Sequence, residues 1–329
     1  MRVLVAILLF GLIGTVSGCI DFLGLKNNCD PDPVVGVEDI AITANARIGI
    51  EPGVPEAFWL EITIPHRNDV VGGYLAKTGD ADAPLVILCD GASTFKQYAG
   101  RESARLFLND FGHHFLEAGM CVWSLDLAED APYGTRDADQ LVAAIDWLEA
   151  EGKAFLGVTR VYVVGYSTGA TAANVANTQR NVTAMVSMAG LAQPNQLLEF
   201  AQLYRDLTAL FPCNTAMDQM RYTLEACLAG DCDQLNVVSR VADFKNDTLF
   251  LHTDDDFVYQ SSNTRALRDA YAALVKRRQA VEADTTRESA LTPLPRLEFR
   301  IFPTGTHFMY INQPIIGEIV VDYLMQFEP

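Results

Sequence analysis

The chain has little of what marks several functional classes, and each scarcity removes one of them. Of 329 residues only five are histidine and seven cysteine. No Cys/His set among them has zinc-ligand spacing, so no zinc site is implied. Lysine and arginine number 24 against 42 aspartates and glutamates, a formal net charge of −18. That balance argues against nucleic-acid backbones and anionic membrane surfaces as partners. Internal repeats and low-complexity tracts are missing, which removes solenoids and compositionally driven disorder. Apolar residues are what the chain does have: 50% of it is hydrophobic, enough for one large core.

The N-terminal stretch is a targeting segment by pattern. Arg2 supplies a positive n-region, and the apolar run from Val3 to Val16 is short for a transmembrane helix. Val16-Ser17-Gly18-Cys19 then places small residues before a cysteine. This resembles the lipobox of bacterial lipoprotein signal peptides. The resemblance implies a signal peptide over 1–18, lipidation of Cys19, and an extracytoplasmic protein held to the cell envelope only by that lipid. Ordinary secretion, with cleavage between Ala6 and Ser17, is the alternative. Residues 19–38, with Asn27, Asn28, Asp30, Pro31 and Pro33, have the composition of a tether. Cys89 and Cys121 lie in apolar runs as buried thiols. Cys213, Cys227 and Cys232 cluster, and an oxidising location permits Cys227–Cys232 or Cys213–Cys232.

Residues 39–329 alternate between strand and helix patterns. Phe58–Ile64 and Val70–Ala76 form an antiparallel edge, and Leu85–Cys89 is an unbroken apolar run. A run without polar alternation belongs to a sheet covered on both faces. Glu102–Glu117 has helical spacing, Met120–Leu127 is a strand, and Arg136–Ala150 is a helix with Leu141, Ala144, Ile145 and Leu148 on one face. Strands follow at Val161–Val164, Val182–Met188, Thr248–His252 and Leu297–Phe302, and a helix at Ile316–Phe327 closes the chain. Eight strands in this rhythm predict a doubly wound, mostly parallel α/β sheet. About 55 residues separate two of the strands, where a short crossover would do. Within 191–246, Leu197, Phe200, Tyr204, Leu207 and Phe211 fall at helical spacing, and Met217–Leu228 makes a second helical stretch. The expectation is a helical lid over the carboxyl ends of the strands.

The strongest local signal is Gly165-Tyr166-Ser167-Thr168-Gly169, between the strand at Val161–Val164 and a small-residue helix. Three fixed residues at roughly 7% usage each recur by chance in about one chain in ten of this length, so the flanking strand and helix carry the weight. The glycines permit a sharp strand-to-helix turn with the Ser167 hydroxyl at its tip. The Thr168 N–H, at the helix start, points where an oxyanion would develop.

A serine hydroxyl needs a base, and the base needs an orienting group. Among the histidines, His307 lies in the loop after the last strand, at the same sheet end as Ser167. His66 belongs to an early turn, His113 and His114 to a helix, and His252 is the rival at the end of its own strand. His252-Thr253-Asp254-Asp255-Asp256 supplies acids after a strand, in the order serine, acid, histidine expected with such an elbow. Half of a calcium site, or a solvated acidic turn, is the other reading of those aspartates.

With these residues in place, the chain resembles the serine hydrolases of the α/β-hydrolase superfamily over roughly residues 55–329. In that family a strand often ends in His-Gly-x-x-Asp-x-x-Val-Pro, with the aspartate as triad acid. Here that position is Asp256, with Thr253 for the usual glycine and Gln260 for the usual proline, which leaves Asp255 as the alternative acid. The family's second oxyanion donor comes from the loop after the third strand, here Cys89-Asp90-Gly91-Ala92-Ser93, so that Ala92 or Ser93 would donate. Asp90 replaces a histidine there and is expected to point away. Gly134, in Pro132-Tyr133-Gly134-Thr135, resembles the family's loop after the fourth strand. The resemblance implies acyl transfer from a small-molecule ester to water, with no cofactor. Peptide or amide cleavage on the same triad, and a non-catalytic binding module, are the alternatives. The sequence carries nothing about oligomeric state.

Overall fold

A computed structural model describes residues 47–48, 57–64, 69–78, 82–91, 101–127, 134–194, 232–284 and 293–329. The targeting segment, Cys19, the tether, His66, Ala92, Ser93 and the helical stretches expected at 197–228 lie outside the described residues.

All eight expected strands are present: β2 (Ala57–Ile64), β3 (Asp69–Ala76), β4 (Leu85–Cys89), β5 (Cys121–Asp126), β6 (Val161–Tyr166), β7 (Ala184–Met188), β8 (Thr248–Thr253) and β9 (Leu297–Phe302). A ninth, the two-residue β1 (Arg47–Ile48), pairs antiparallel with β2 at the sheet edge. Two residues are too few to show a period-2 pattern, so composition gives no sign of it. The sheet order is β1-β2-β3-β5-β4-β6-β7-β8-β9. β2 and β3 are antiparallel to their neighbours, and β5, β4, β6, β7, β8 and β9 run parallel.

Every side chain of β4 is buried with no exposed surface, as the unbroken apolar run requires. Alternate residues feed two cores. Val86, Leu88, Val122, Val164 and Leu251 pack with Phe107, Phe111 and Phe115 of helix α1 (101–117) and with Ile316, Val320 and Tyr323 of the C-terminal helix. Leu85, Ile87, Trp123, Val161 and Val163 pack on the other face with Leu141, Ala144, Ile145 and Leu148 of α2 (135–156), and with Ala173 and Ala176 of α3 (Thr168–Asn177). Both α1 and α2 contain a five-residue π turn, Leu108–Gly112 and Leu148–Gly152, which shifts the apolar stripe by part of a turn. After β8 comes α4 (Ser262–Asp284), then, past β9, α5 (Met309–Asn312) and α6 (Ile315–Met325). From Arg268 to Glu282, α4 buries no residue, which is why its apolar spacing gives no helical signal.

The chain order reverses at β4. Its C-terminal neighbour β5 lies on one side and β6 on the other, so α1 and α3 leave from adjacent strands on opposite faces. Such a switch point opens a crevice at the carboxyl ends of the strands, between the loops after β4 and β6.

A buried amide knot ties α3 to β8. Asn177 Oδ1 accepts from the Asn246 N–H at 3.0 Å and its side-chain amide at 2.8 Å, and the Asn177 amide donates to Thr248 Oγ1 at 2.8 Å. Removing one partner strands several buried polar groups. Asn177→Ala should therefore lower unfolding free energy by on the order of 3 kcal/mol, read from the midpoint of urea unfolding with the m-value unchanged.

Candidate active site

β6 runs into Ser167 at φ 56° and ψ −118°, and α3 begins at the next residue. A side chain at positive φ is strained, and here the surroundings hold it there. A Cβ on Gly165 would stand 2.5 Å from the Gly169 carbonyl oxygen, and one on Gly169 would stand 2.1 Å from that of Cys89. Only glycine lets the helix start crowd this closely onto β6 and β4. Gly91, in the loop after β4, approaches from the other side, where a Cβ would lie 2.7 Å from the Cβ of Ser167. The Thr168 N–H opens the helix, where no intrahelical acceptor exists for it.

Ser167, His307 and Asp256 converge, and all three are buried. Ser167 Oγ lies 2.8 Å from His307 Nε2, and His307 Nδ1 lies 2.8 Å from Asp256 Oδ2. A carboxylate can only accept, so Nδ1 carries the hydrogen and Nε2 is left to accept from the serine hydroxyl. The other carboxylate oxygen, Asp256 Oδ1, accepts from the backbone N–H groups of Val258 and Tyr259 at 2.8 and 2.9 Å. Burial pushes the Asp256 carboxyl up, but hydrogen bonds from His252 and His307 override it and hold the pKa down at about 2.

The two acidic candidates divide the work. Asp255 is turned to the backbone instead of the imidazole, accepting from the N–H groups of Gly305 at 3.2 Å and Thr306 at 2.7 Å. It therefore braces the loop that carries His307. Three further bonds hold that loop: Thr253 Oγ1 donates to the Thr306 carbonyl at 2.7 Å, the Tyr166 hydroxyl to the His307 carbonyl at 3.0 Å, and Asn312 to Thr306 Oγ1 at 3.0 Å. Thr306 itself has φ 56°, a left-handed conformation that such bracing sustains. Asp254 faces outward to Ser261 and Arg265, so the three aspartates do not gather around one point.

Asp90 is tied to its own loop and to α1. Its Oδ1 accepts from the Gly91 N–H at 2.7 Å and its Oδ2 from the Ser103 hydroxyl at 2.9 Å. Gly91 N–H is thereby occupied by its neighbour's carboxylate. Gly134 has φ 87° ahead of α2, and its N–H is accepted by Asp137. His113 and His114 lie on α1, with Nδ1 of His113 against the Asn109 carbonyl and the His114 ring packed close to Gly317. Burial pushes the Cys89 thiol well up, so it is not a thiolate nucleophile. Cys121 is likewise a free buried thiol, and Cys232 is in a disulfide whose partner lies outside the described residues.

Sequence reasoning finds the three converging residues and misses their supports. Tyr166 is named only as the variable residue of the elbow, Thr253 only as a departure from a motif. Each acts on a loop more than fifty residues away in the chain, which no local pattern reports.

No family model matches the chain, and no curated protein matches it. Solved structures do. The Pyrococcus furiosus esterase Pf2001 superposes with a TM-score of 0.59 at 14% identity, covering 86% of this chain and 98% of its own. Est1E from Butyrivibrio proteoclasticus gives 0.53 at 14%, covering 81% and 98%. Pyrococcus horikoshii acylaminoacyl peptidase gives 0.51 at 13%, with 81% of this chain matched to 41% of that one. Identities this low speak for architecture, and together with the strand order they establish the α/β-hydrolase fold.

The depressed Asp256 pKa has a stability consequence. A carboxyl held below its unfolded value contributes stability that is fully present above about pH 4 and lost as pH falls toward 2. The difference in unfolding free energy between wild type and Asp256→Asn should shrink by about 2 kcal/mol from pH 5 to pH 2, measured by urea unfolding at each pH.

Proposed function

We propose that the protein is a serine hydrolase cleaving carboxylic ester bonds through an acyl-enzyme. The observation that carries this is the continuous hydrogen-bonded line from Ser167 Oγ through His307 to Asp256, with the serine held at positive φ. As Ser167 Oγ bonds to the ester carbonyl carbon, its proton passes to His307 Nε2. Asp256 orients the imidazole and stabilises its charged form. The Thr168 N–H and a second N–H from Ala92 or Ser93 hold the oxyanion. Collapse expels the alkoxide, which takes the proton from Nε2. A water then gives its proton to Nε2 as its oxygen attacks the acyl carbon, and collapse returns that proton to Ser167 while the carboxylic acid leaves.

Two exposed apolar residues support an apolar substrate group. Phe257, next to Asp256 in the chain, is 67% exposed, and Ile311, four residues past His307, is 56% exposed. We assign the part of 191–246 between 194 and 232 to a helical lid that would meet them, and Cys19 to a lipid anchor outside the cytoplasm, both from the sequence pattern. Leu191, Ala192 and the segment from Cys232 to Phe244 pack into the core against α3 and β8 instead of over the strand ends. The two esterases match this chain over nearly their whole length, which favours esters over peptides as the first substrates to try.

A p-nitrophenyl ester series from acetate to palmitate tests the reading, using protein lacking residues 1–19. Turnover should appear with at least one ester and fall at least about a thousandfold in Ser167→Ala. A short-chain optimum would mean a confined pocket, a long-chain optimum an open lid. Ester turnover surviving Ser167→Ala would overturn the mechanism. Serine-dependent cleavage confined to p-nitroanilides would replace ester by amide.

A further inference from the structure

A second histidine stands behind the line of three. His252, the next-to-last residue of β8, has no exposed surface, and nothing in the mechanism above uses it. Its Nε2 lies 2.6 Å from the Tyr259 carbonyl oxygen and 3.2 Å from Asp256 Oδ2. Both neighbours are acceptors, so Nε2 must carry a hydrogen, which is aimed at the Tyr259 carbonyl with Asp256 Oδ2 beside it. Nδ1 lies 2.8 Å from the Thr264 hydroxyl, which can donate. The Nε2–H tautomer thus satisfies every polar contact of the ring, with Thr264 at the start of α4 selecting it.

The consequence falls on Asp256. Its Oδ1 takes two backbone N–H groups, and its Oδ2 takes His307 Nδ1–H at 2.8 Å, with His252 Nε2 in polar contact at 3.2 Å. With three hydrogen bonds and the His252 contact around it the carboxylate has one orientation, and a rotation about its Cβ–Cγ bond short of the half-turn that exchanges its equivalent oxygens breaks at least one of them. A histidine that merely filled the core would need no ring nitrogen this close to the acid, and one serving only the Tyr259 carbonyl could stand farther from Oδ2.

We propose that His252 is a positioning residue for the reaction: through its Nε2–H it fixes the Asp256 carboxylate so that Oδ2 faces His307 Nδ1. The inference rests on the serine-hydrolase reading of the site. His252 touches neither substrate nor the reacting atoms; it acts through Asp256 alone. Thr264 extends the chain of control to α4, so the fourth helix bears on the site.

Three substitutions at His252 separate this from plain packing. Glutamine places an amide N–H near the position of Nε2, asparagine places one near Nδ1, and leucine supplies none. With p-nitrophenyl butyrate, kcat should fall about ten- to a hundredfold in His252→Leu and His252→Asn, KM staying within about threefold, as expected for losing a hydrogen bond to a charged group. His252→Gln should recover kcat to within about fivefold of wild type. In an Asp256→Asn background, His252→Gln and His252→Asn should have equal kcat, because the group through which they act is gone. Thermal unfolding of each variant identifies those that are folded. If leucine prevents folding, the glutamine–asparagine contrast decides, and if neither folds, Thr264→Val should lower kcat about threefold at unchanged KM. Unchanged kcat in the folded variants, or glutamine as impaired as asparagine, would overturn the proposal. Failure of the parent reading looks different: it shows in the wild-type background, as turnover that survives Ser167→Ala.

Discussion

Everything at this site depends on one crowded junction, where the start of α3 is pressed against the ends of β4 and β6. The chain must turn from strand to helix within a single residue, and the space left admits no Cβ at Gly165 or Gly169. Ser167 absorbs the turn at φ 56° and ψ −118°. That conformation costs of order 1–3 kcal/mol locally, which the α3 packing and the Asn177–Asn246 knot offset. In return the hydroxyl reaches His307 Nε2 at 2.8 Å, with the Thr168 N–H next to it at the open start of the helix. The strand order supplies that crevice, because β4 and β6 send their helices to opposite faces.

The opposite wall is built by hydrogen bonds instead of steric crowding. His307 sits on a loop between β9 and α5 that has no regular structure of its own. Asp255, Thr253, Tyr166 and Asn312 fix that loop, each through a single bond or a pair to its backbone or to Thr306. Asp256 fixes the ring. Two adjacent acids thus serve different ends, one gripping the loop backbone and the other the imidazole. The aromatic rings of Tyr166, Tyr259 and Phe308 surround the imidazole at centroid distances of 5.4, 5.5 and 5.8 Å. They limit its wobble and lower the local dielectric, which strengthens both of its bonds.

Much of this was legible in the amino-acid sequence, and the rest was hidden for physical reasons. β4 announces itself because a strand covered on both faces must be apolar at every position. The serine, acid and histidine are legible because each occupies a loop directly after a strand, and parallel strands bring those loops to one end. The 23-residue helix α4 is hidden because its buried residues lie near its N-terminus, leaving no stripe. The π turns in α1 and α2 shift the spacing inside helices whose existence is otherwise plain. The loop braces are hidden because a threonine or tyrosine hydroxyl gains meaning only from a carbonyl that folding brings near, as at Thr253–Thr306 and Tyr166–His307. His252 looks in the sequence like a rival base, and its contacts place it behind the acid instead.

The central claim is that Ser167 is a nucleophile activated by His307. Its most direct measurement is reaction with a fluorophosphonate probe, followed by peptide mapping of the adduct by mass spectrometry. One adduct per chain is predicted, on the peptide containing Ser167, with its rate of formation collapsing in His307→Ala. An intact protein that takes up no probe, or takes it up at a different residue, would contradict the account.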